Sequence, residues 1–207
     1  MAGFLGNFRN TFVAGLVLAV IMIIGFGMHN PGHFEGSFAQ AVFRWMHVFF
    51  GILWIGLLYY FNFVQIRKMP DIPAELKPAV SKHIAPEALF WFRWSALFTV
   101  LAGLGVAILR GGSYPSEVLS LGLAGGFAGS EDTQYLLMGV GVWLGIIMML
   151  NVWGIIWPNQ KIALGIKEAD ADAKAKAGKT AMMGSRVNLM LSLPMLTSMA
   201  MYQTLFS

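Results

Sequence analysis

Apolar positions in this chain gather into five long runs, Thr11–Met28, Ala41–Val64, Ala88–Arg110, Gln134–Trp157 and Val187–Phe206, parted by polar connections. A hydrocarbon core of roughly 30 Å is crossed by about 20 helical residues rising ~1.5 Å each. Inside lipid the backbone has to satisfy its own hydrogen bonds, so runs of this length predict helices. The pattern therefore predicts an all-α integral membrane protein: one transmembrane helical domain over residues 1–207, built as a bundle of five membrane-crossing helices. The composition agrees, with 57% hydrophobic and 12% charged residues in 207.

The charges orient the bundle. The N-terminus and the second and fourth connections fall on one side and carry Arg9, Arg67, Lys68, Lys77 and Lys82, then Lys161, Lys167, Lys174, Lys176, Lys179 and Arg186. The opposite side has only Arg44 and Arg110, and Arg93 lies inside the third run. The positive-inside rule then places the N-terminus inside and the C-terminus outside, the arrangement of a multi-pass protein of the bacterial inner (cytoplasmic) membrane. The net charge of +4 is explained by these loops, where anionic lipid favours base; membrane lipids rather than nucleic acid are the expected partners. Arg9 followed by an apolar run imitates a signal peptide, but Gly25–Asn30 offers no A-x-A cleavage site, so the first run is read as a retained helix.

In the first connection Pro31–Gly32 breaks any helix, so His29 and His33 form no helical i,i+4 pair. The second holds Pro70, Pro73, Pro78 and Pro86, which suit turns and a small surface helix. In the third, Leu119–Gly129 is apolar and rich in small residues yet too short to cross; it is either a re-entrant or interfacial segment or a surface loop. The fourth is rich in Ala, Glu and Lys and predicts a polar cytoplasmic helix continuing from the fourth run after a break at Pro158.

Ionisable residues inside apolar runs are the candidates for chemistry. Arg44 and His47 share one helical face near the outer end of the second run. His47 is read either as an axial haem ligand or proton carrier, or as a histidine hydrogen-bonded to a neighbouring helix. A b-type haem takes two axial ligands, and His29 and His33 are the histidines on the same side. With Glu35, the trio His29, His33 and His47 is also a candidate metal site for copper, zinc or iron; His83 lies on the opposite face. The chain has no cysteine, which rules out thiolate metal sites and a covalent c-type haem within it. Arg93 sits among Trp91, Phe92 and Trp94, where it either holds an anionic ligand or stacks on the rings. Asn151, Trp153 and Trp157 close the fourth run on that side, and Arg186 and Asn188 open the fifth. This convergence is either a binding crevice, with Arg93, Asn151 and Arg186 on the substrate, or an aromatic belt with caps. His47, Arg93 and Arg186 are the catalytic candidates.

Four blocks carry a resemblance: His47…Trp54–Gln65, Trp91–Trp94, Asn151–Lys161, and Arg186-Val-Asn188…Ser192–Met195. Together they resemble the membrane domain of the bacterial cytochrome-linked urate oxidase family (PuuD-type urate hydroxylases). The resemblance implies a membrane domain that oxidises urate and passes electrons to a c-type cytochrome. No cysteine is available here to hold that haem, so the expectation is a redox-associated subunit of a larger membrane complex, partnered by other membrane subunits or a separate cytochrome c. The alternative is a catalytic oxidoreductase acting on urate or a similar small reductant, delivering electrons to such a cytochrome.

Overall fold

The computed structural model describes residues 2–29, 36–124 and 130–206, with side chains described over 3–29, 37–124 and 133–206. Among these the chain is helical and contains no strand. The long helices are α1 (Phe8–His29), α2 (Gly36–Tyr59), α3 (Ala85–Arg110), α5 (Ser130–Asn151) and α6 (Ala171–Leu205), with a short α4 (Tyr114–Leu119) between α3 and α5. Two of them run on through a turn of π-helix: α2 through Tyr60–Gln65 into Ile66–Lys68, and α5 through Val152–Ile156 into Trp157–Ala163. The stretches Phe8–His29, Ser37–Asp71, Lys77–Arg110 and Thr133–Ala163 are long and apolar enough to cross a membrane. The protein is a multi-pass, all-α membrane bundle.

The fifth expected crossing, Val187–Phe206, differs from the other four in two respects. Its residues as far as Leu205 belong to the 35-residue α6, and α6 is not among the four helices apolar enough to cross by composition. The reason is visible in its inward face, where Ser185, Asn188, Ser192 and Ser198 are all buried. Buried against protein, a helix does not need lipid-like side chains all round. α6 nevertheless runs the length of the bundle. Gly178 lies beside Ala163 at the end of α5, while Tyr202 receives a 2.8 Å hydrogen bond from Arg110 at the end of α3.

The expected break at Pro158 also moves. Helix continues past it to Ala163 because the π-turn immediately before it accommodates a residue that has no N–H and clashes with the previous turn. The chain turns instead at Gly165, whose φ of 75° is left-handed. α6 then starts where the Asp170 carboxylate accepts the Ala173 N–H at 2.7 Å, so the Ala-Lys segment belongs to α6 and not to an extension of α5.

Small residues set the closest helix approaches. A Cβ on Gly105 of α3 would collide with the Phe43 ring of α2, and one on Gly141 of α5 would press on Ser198 of α6. The core that α2, α3, α5 and α6 enclose contains Trp54, Leu58, Phe92, Met148 and Val152, each 1% exposed or less. α1 stands at the edge, with Gly27 its one buried residue among those described; it meets α2 through Phe12 and Phe49, ring centres 6.3 Å apart.

As far as Ala124 the third connection packs on the bundle and is not a free surface loop. α4 buries Tyr114 and Val118 against Tyr202, and Leu119 accepts the Trp143 indole N–H at 2.9 Å. Residues 125–129 of the apolar stretch Leu119–Gly129 lie outside the described residues.

Candidate functional site

α2 and α6 are tied together in one half of the bundle, where Asn62 donates to the Ser185 hydroxyl at 2.8 Å and the Tyr59 and Ser192 hydroxyls meet at 3.2 Å. In the other half, towards Arg110, a cavity of about 610 Å³ opens, bounded by α2 through α6. Its walls are mostly aliphatic, methionine and glycine; Gly51, Gly103, Gly141 and Gly145 contribute lining without side-chain volume. Gly145 is buried, yet a Cβ there would meet nothing within 4 Å. A pocket of this size with a few placed polar groups is the usual form of a small-molecule site.

Four polar features mark the cavity. His47, half-buried, faces α3 with its Nδ1 2.8 Å from the Thr99 carbonyl oxygen. A carbonyl only accepts, so Nδ1 carries the hydrogen, and in the neutral ring Nε2 is left with a bare lone pair. Gly103, one turn beyond Thr99, makes that pose possible, because a Cβ there would lie 2.9 Å from His47 Cε1 and Nδ1. Trp54, seven residues along α2 and so about 10 Å further down its axis, is 1% exposed, and its indole N–H has no acceptor. Arg44 lines the wall nearer the start of α2. At the rim the Arg110 guanidinium lies 4.3 Å from the Tyr114 ring centre and 5.6 Å from that of Tyr202. Burial and a hydrogen bond with Tyr202 push the Tyr114 phenol well above its ordinary range, more than Arg110 pulls it down, so it stays protonated.

The residues expected to form one substrate crevice at the basic end of the bundle occupy three different settings. Arg93 stacks its guanidinium 3.9 Å from the Trp157 ring centre and 5.1 Å from that of Phe90, and its carbonyl accepts the Trp153 indole N–H at 3.1 Å. Asn151 turns instead to α6, donating to Gly184 O at 2.8 Å and to Asn188 Oδ1 at 2.7 Å. Arg186 is exposed. Of the two readings open at this end, the aromatic belt describes Arg93, whereas Asn151 belongs to a buried polar seam.

That seam runs along α6. Asn188, fully buried, donates to Met148 O at 3.0 Å, and Asn62, 1% exposed, donates to Leu58 O at 2.9 Å as well as to Ser185. Two of the three π-turns among the described residues adjoin it: Asn62 lies within Tyr60–Gln65 and Asn151 precedes Val152–Ile156, while Val80–Ile84 leads into α3. π-turns inside α-helices cluster at functional sites. The Oδ1 atoms of Asn62 and Asn151 and the Gln65 Oε1 are buried without a donor, and such acceptors are costly unless something occupies them.

The candidate metal trio is not assembled among the described residues. His33 and Glu35 lie outside them, and His29 is exposed at the end of α1. No three His, Asp or Glu side chains among the described residues converge.

From the sequence, His47 stands out as an ionisable residue in an apolar run, whereas Trp54 and Gly103 do not. Their importance depends on a missing partner and a missing Cβ, neither of which a sequence shows. Asn62 is detectable as the one amide in the second run, near its end. No protein-family model, curated protein or solved structure matches this chain.

Proposed function

We propose that this chain is a redox-associated subunit of a larger complex of the bacterial inner membrane, and that its part is to hold a small redox-active group in the cavity at His47. The observation that carries the reading is the His47–Thr99 hydrogen bond. It fixes the imidazole tautomer and leaves Nε2 as a Lewis base beside an apolar chamber. The resemblance to the membrane domain of cytochrome-linked urate oxidases supports a redox setting. None of the 207 residues is a cysteine, so a covalent c-type haem that takes the electrons is anchored outside them.

A b-type haem fits part of the donor set. His47 would supply one axial ligand, and Arg44 and Arg110 suit the propionates. Among the described residues no second histidine lines the cavity, so His47 would be the one imidazole these residues offer it. Bound there, a haem would supply one-electron transfer, and His47 would orient it through Thr99.

The test is purification of the full chain from native membranes in mild detergent. An absorption spectrum, lipid-soluble redox compounds extracted and identified, and mass spectrometry of co-purifying chains are the readouts. A redox group and partner chains are expected together. A lone chain carrying neither overturns the reading.

The catalytic alternative, oxidation of urate or a similar reductant with electrons passed to a separate cytochrome c, is favoured by a different observation. The unpaired Oδ1 atoms of Asn62 and Asn151 are acceptors that the N–H groups of a purine would satisfy. Urate-dependent reduction of added cytochrome c by the purified chain, lost in Asn151→Ala, is its expected signature. No reduction at any urate concentration removes it.

A further inference from the structure

We infer that the occupant of the His47 cavity is a lipid-soluble quinol, which enters sideways from the bilayer and is held by His47 at one ring oxygen and by Trp54 at the other. The inference rests on the redox-subunit reading and specifies its ligand.

The first observation is Trp54. An indole N–H that is buried and unpaired is expensive, because it has given up water and received nothing in return. Trp54 is 1% exposed, its Nε1 has no acceptor, and the residue lines the cavity. Its Nε1 is sealed behind the chamber wall, so an occupant that draws the indole N–H inward should present an acceptor oxygen within the apolar part of the chamber. A porphyrin does not: its pyrrole nitrogens are taken by the metal, and its carboxylates belong at the charged rim. A quinol carries ring oxygens with spare lone pairs.

His47 supplies the second observation. With its Nδ1–H committed to Thr99 O at 2.8 Å, neutral His47 offers only an acceptor at Nε2. The matching group is a hydroxyl, which a quinol has and a quinone lacks. The pair is thus one donor and one acceptor, and a quinol satisfies both: its O–H donates to Nε2, and its second oxygen accepts from Trp54. As the proton lies in that hydrogen bond, Nε2 is the group placed to receive it.

The third observation is how the cavity opens. Its lining residues Val48, Ile52 and Leu196 are 52%, 70% and 39% exposed. Val48, Ile52 and Gly56 recur every four residues along one face of α2. All are apolar, so the mouth between α2 and α6 is on the bundle flank that faces lipid, above the Tyr59–Ser192 tie. A water-soluble ligand has no reason to enter there, whereas a quinol with a hydrocarbon tail is already dissolved in the phase outside. The tail would lie along the methionines Met195 and Met199, whose unbranched side chains adapt to irregular guests.

The experiment uses the full chain in phospholipid nanodiscs, with decyl-ubiquinol kept reduced under anaerobic conditions and decyl-ubiquinone for comparison. Saturable binding is read as a rise in thermal midpoint and by competition with a radiolabelled analogue. Wild type is expected to bind the quinol at least tenfold more tightly than the quinone. His47→Leu should remove that preference, and Trp54→Phe should weaken both forms about tenfold. Gly145→Leu fills empty space rather than cutting into packed structure, so it should fold as wild type does and lose binding. Absence of saturable binding by wild type overturns the inference, as does binding unchanged in all three variants. A Soret band that co-purifies and disappears in His47→Leu replaces the quinol with a porphyrin while leaving the redox-subunit reading standing. Absence of quinol binding, colour and partner chains removes both.

Discussion

Asn151 of α5 and Asn188 of α6 face one another across 2.7 Å, the nitrogen of the first donating to the oxygen of the second, and Asn188 returns a hydrogen bond to Met148 O one turn back along α5. Two amides thereby make a reciprocal tie between helices that otherwise meet through small residues. In a bilayer the apolar surfaces of two helices gain little by leaving lipid, so polar ties and close packing carry much of the specificity.

Removing one partner of that tie should therefore be felt. Asn188→Ala deprives Asn151 of one acceptor and frees Met148 O in a site with no exposure. A loss of about 1–2 kcal/mol is expected from interhelical hydrogen bonds of this kind. Thermal unfolding in detergent or nanodiscs provides the check. A double-mutant cycle with Asn151→Ala should show coupling of about 0.5 kcal/mol or more. Additive effects would show that the two amides act independently.

The glycines around the cavity divide by what faces them. Gly103→Ala places a methyl 2.9 Å from the His47 ring and should push the imidazole off Thr99, costing about 1–3 kcal/mol as overpacking does. Gly145→Ala meets open space and should be neutral or stabilising by up to about 1 kcal/mol, through helix propensity. Thermal midpoints rank the two, and nitrogen NMR of labelled histidine reports whether His47 keeps its Nδ1–H tautomer. Equal effects from both substitutions would count against the asymmetry.

How much of this was legible in the sequence differs from element to element. α1, α2, α3 and α5 are readable because their apolar runs match the thickness of a bilayer. α6 is readable only in its second half, because a helix with one face against protein carries serines and an asparagine on that face, and a helix start set by one Asp170 cap escapes a hydropathy reading. His47 was legible as an ionisable residue within a run. The cavity was not, since its lining comes from five helices that only the packing brings together. The arginines illustrate the opposite failure: Arg93 and Arg186 lie on the same side in sequence order, but their helical faces differ, and spacing along two separate helices does not fix that.

Arg93 and Arg186 should consequently respond very differently to substitution. Arg93→Met keeps an apolar stem but loses the cation held 3.9 Å from the Trp157 ring; a cost of about 0.5–2 kcal/mol is expected. Arg93→Lys should recover part of it, since a flexible ammonium covers the ring less completely than a planar guanidinium. Arg186→Ala alters an exposed side chain and should fall within about 0.5 kcal/mol of wild type. Thermal unfolding of the three variants tests this. A large effect at Arg186 alone would restore its claim to a site.

The orientation of the bundle makes the last prediction, and the natural absence of cysteine makes it clean to test. Lys and Arg crowd one end, while Arg44 and Arg110 are alone at the other, so the basic end should face the cytoplasm. Single cysteines at Ala175 and Ser113, both exposed, mark the two ends. In intact cells a membrane-impermeant maleimide should label Ser113→Cys, and should label Ala175→Cys only after permeabilisation. A third position decides what composition leaves open about α6. Gln203 is exposed, beside the Tyr202 that Arg110 holds at 2.8 Å. If α6 crosses as that contact requires, Gln203→Cys should react from outside together with Ser113→Cys. Reaction of Ala175→Cys in intact cells would invert the bundle, and protection of Gln203→Cys alongside a reactive Ser113→Cys would show that the Arg110–Tyr202 contact does not hold α6 at the outer end.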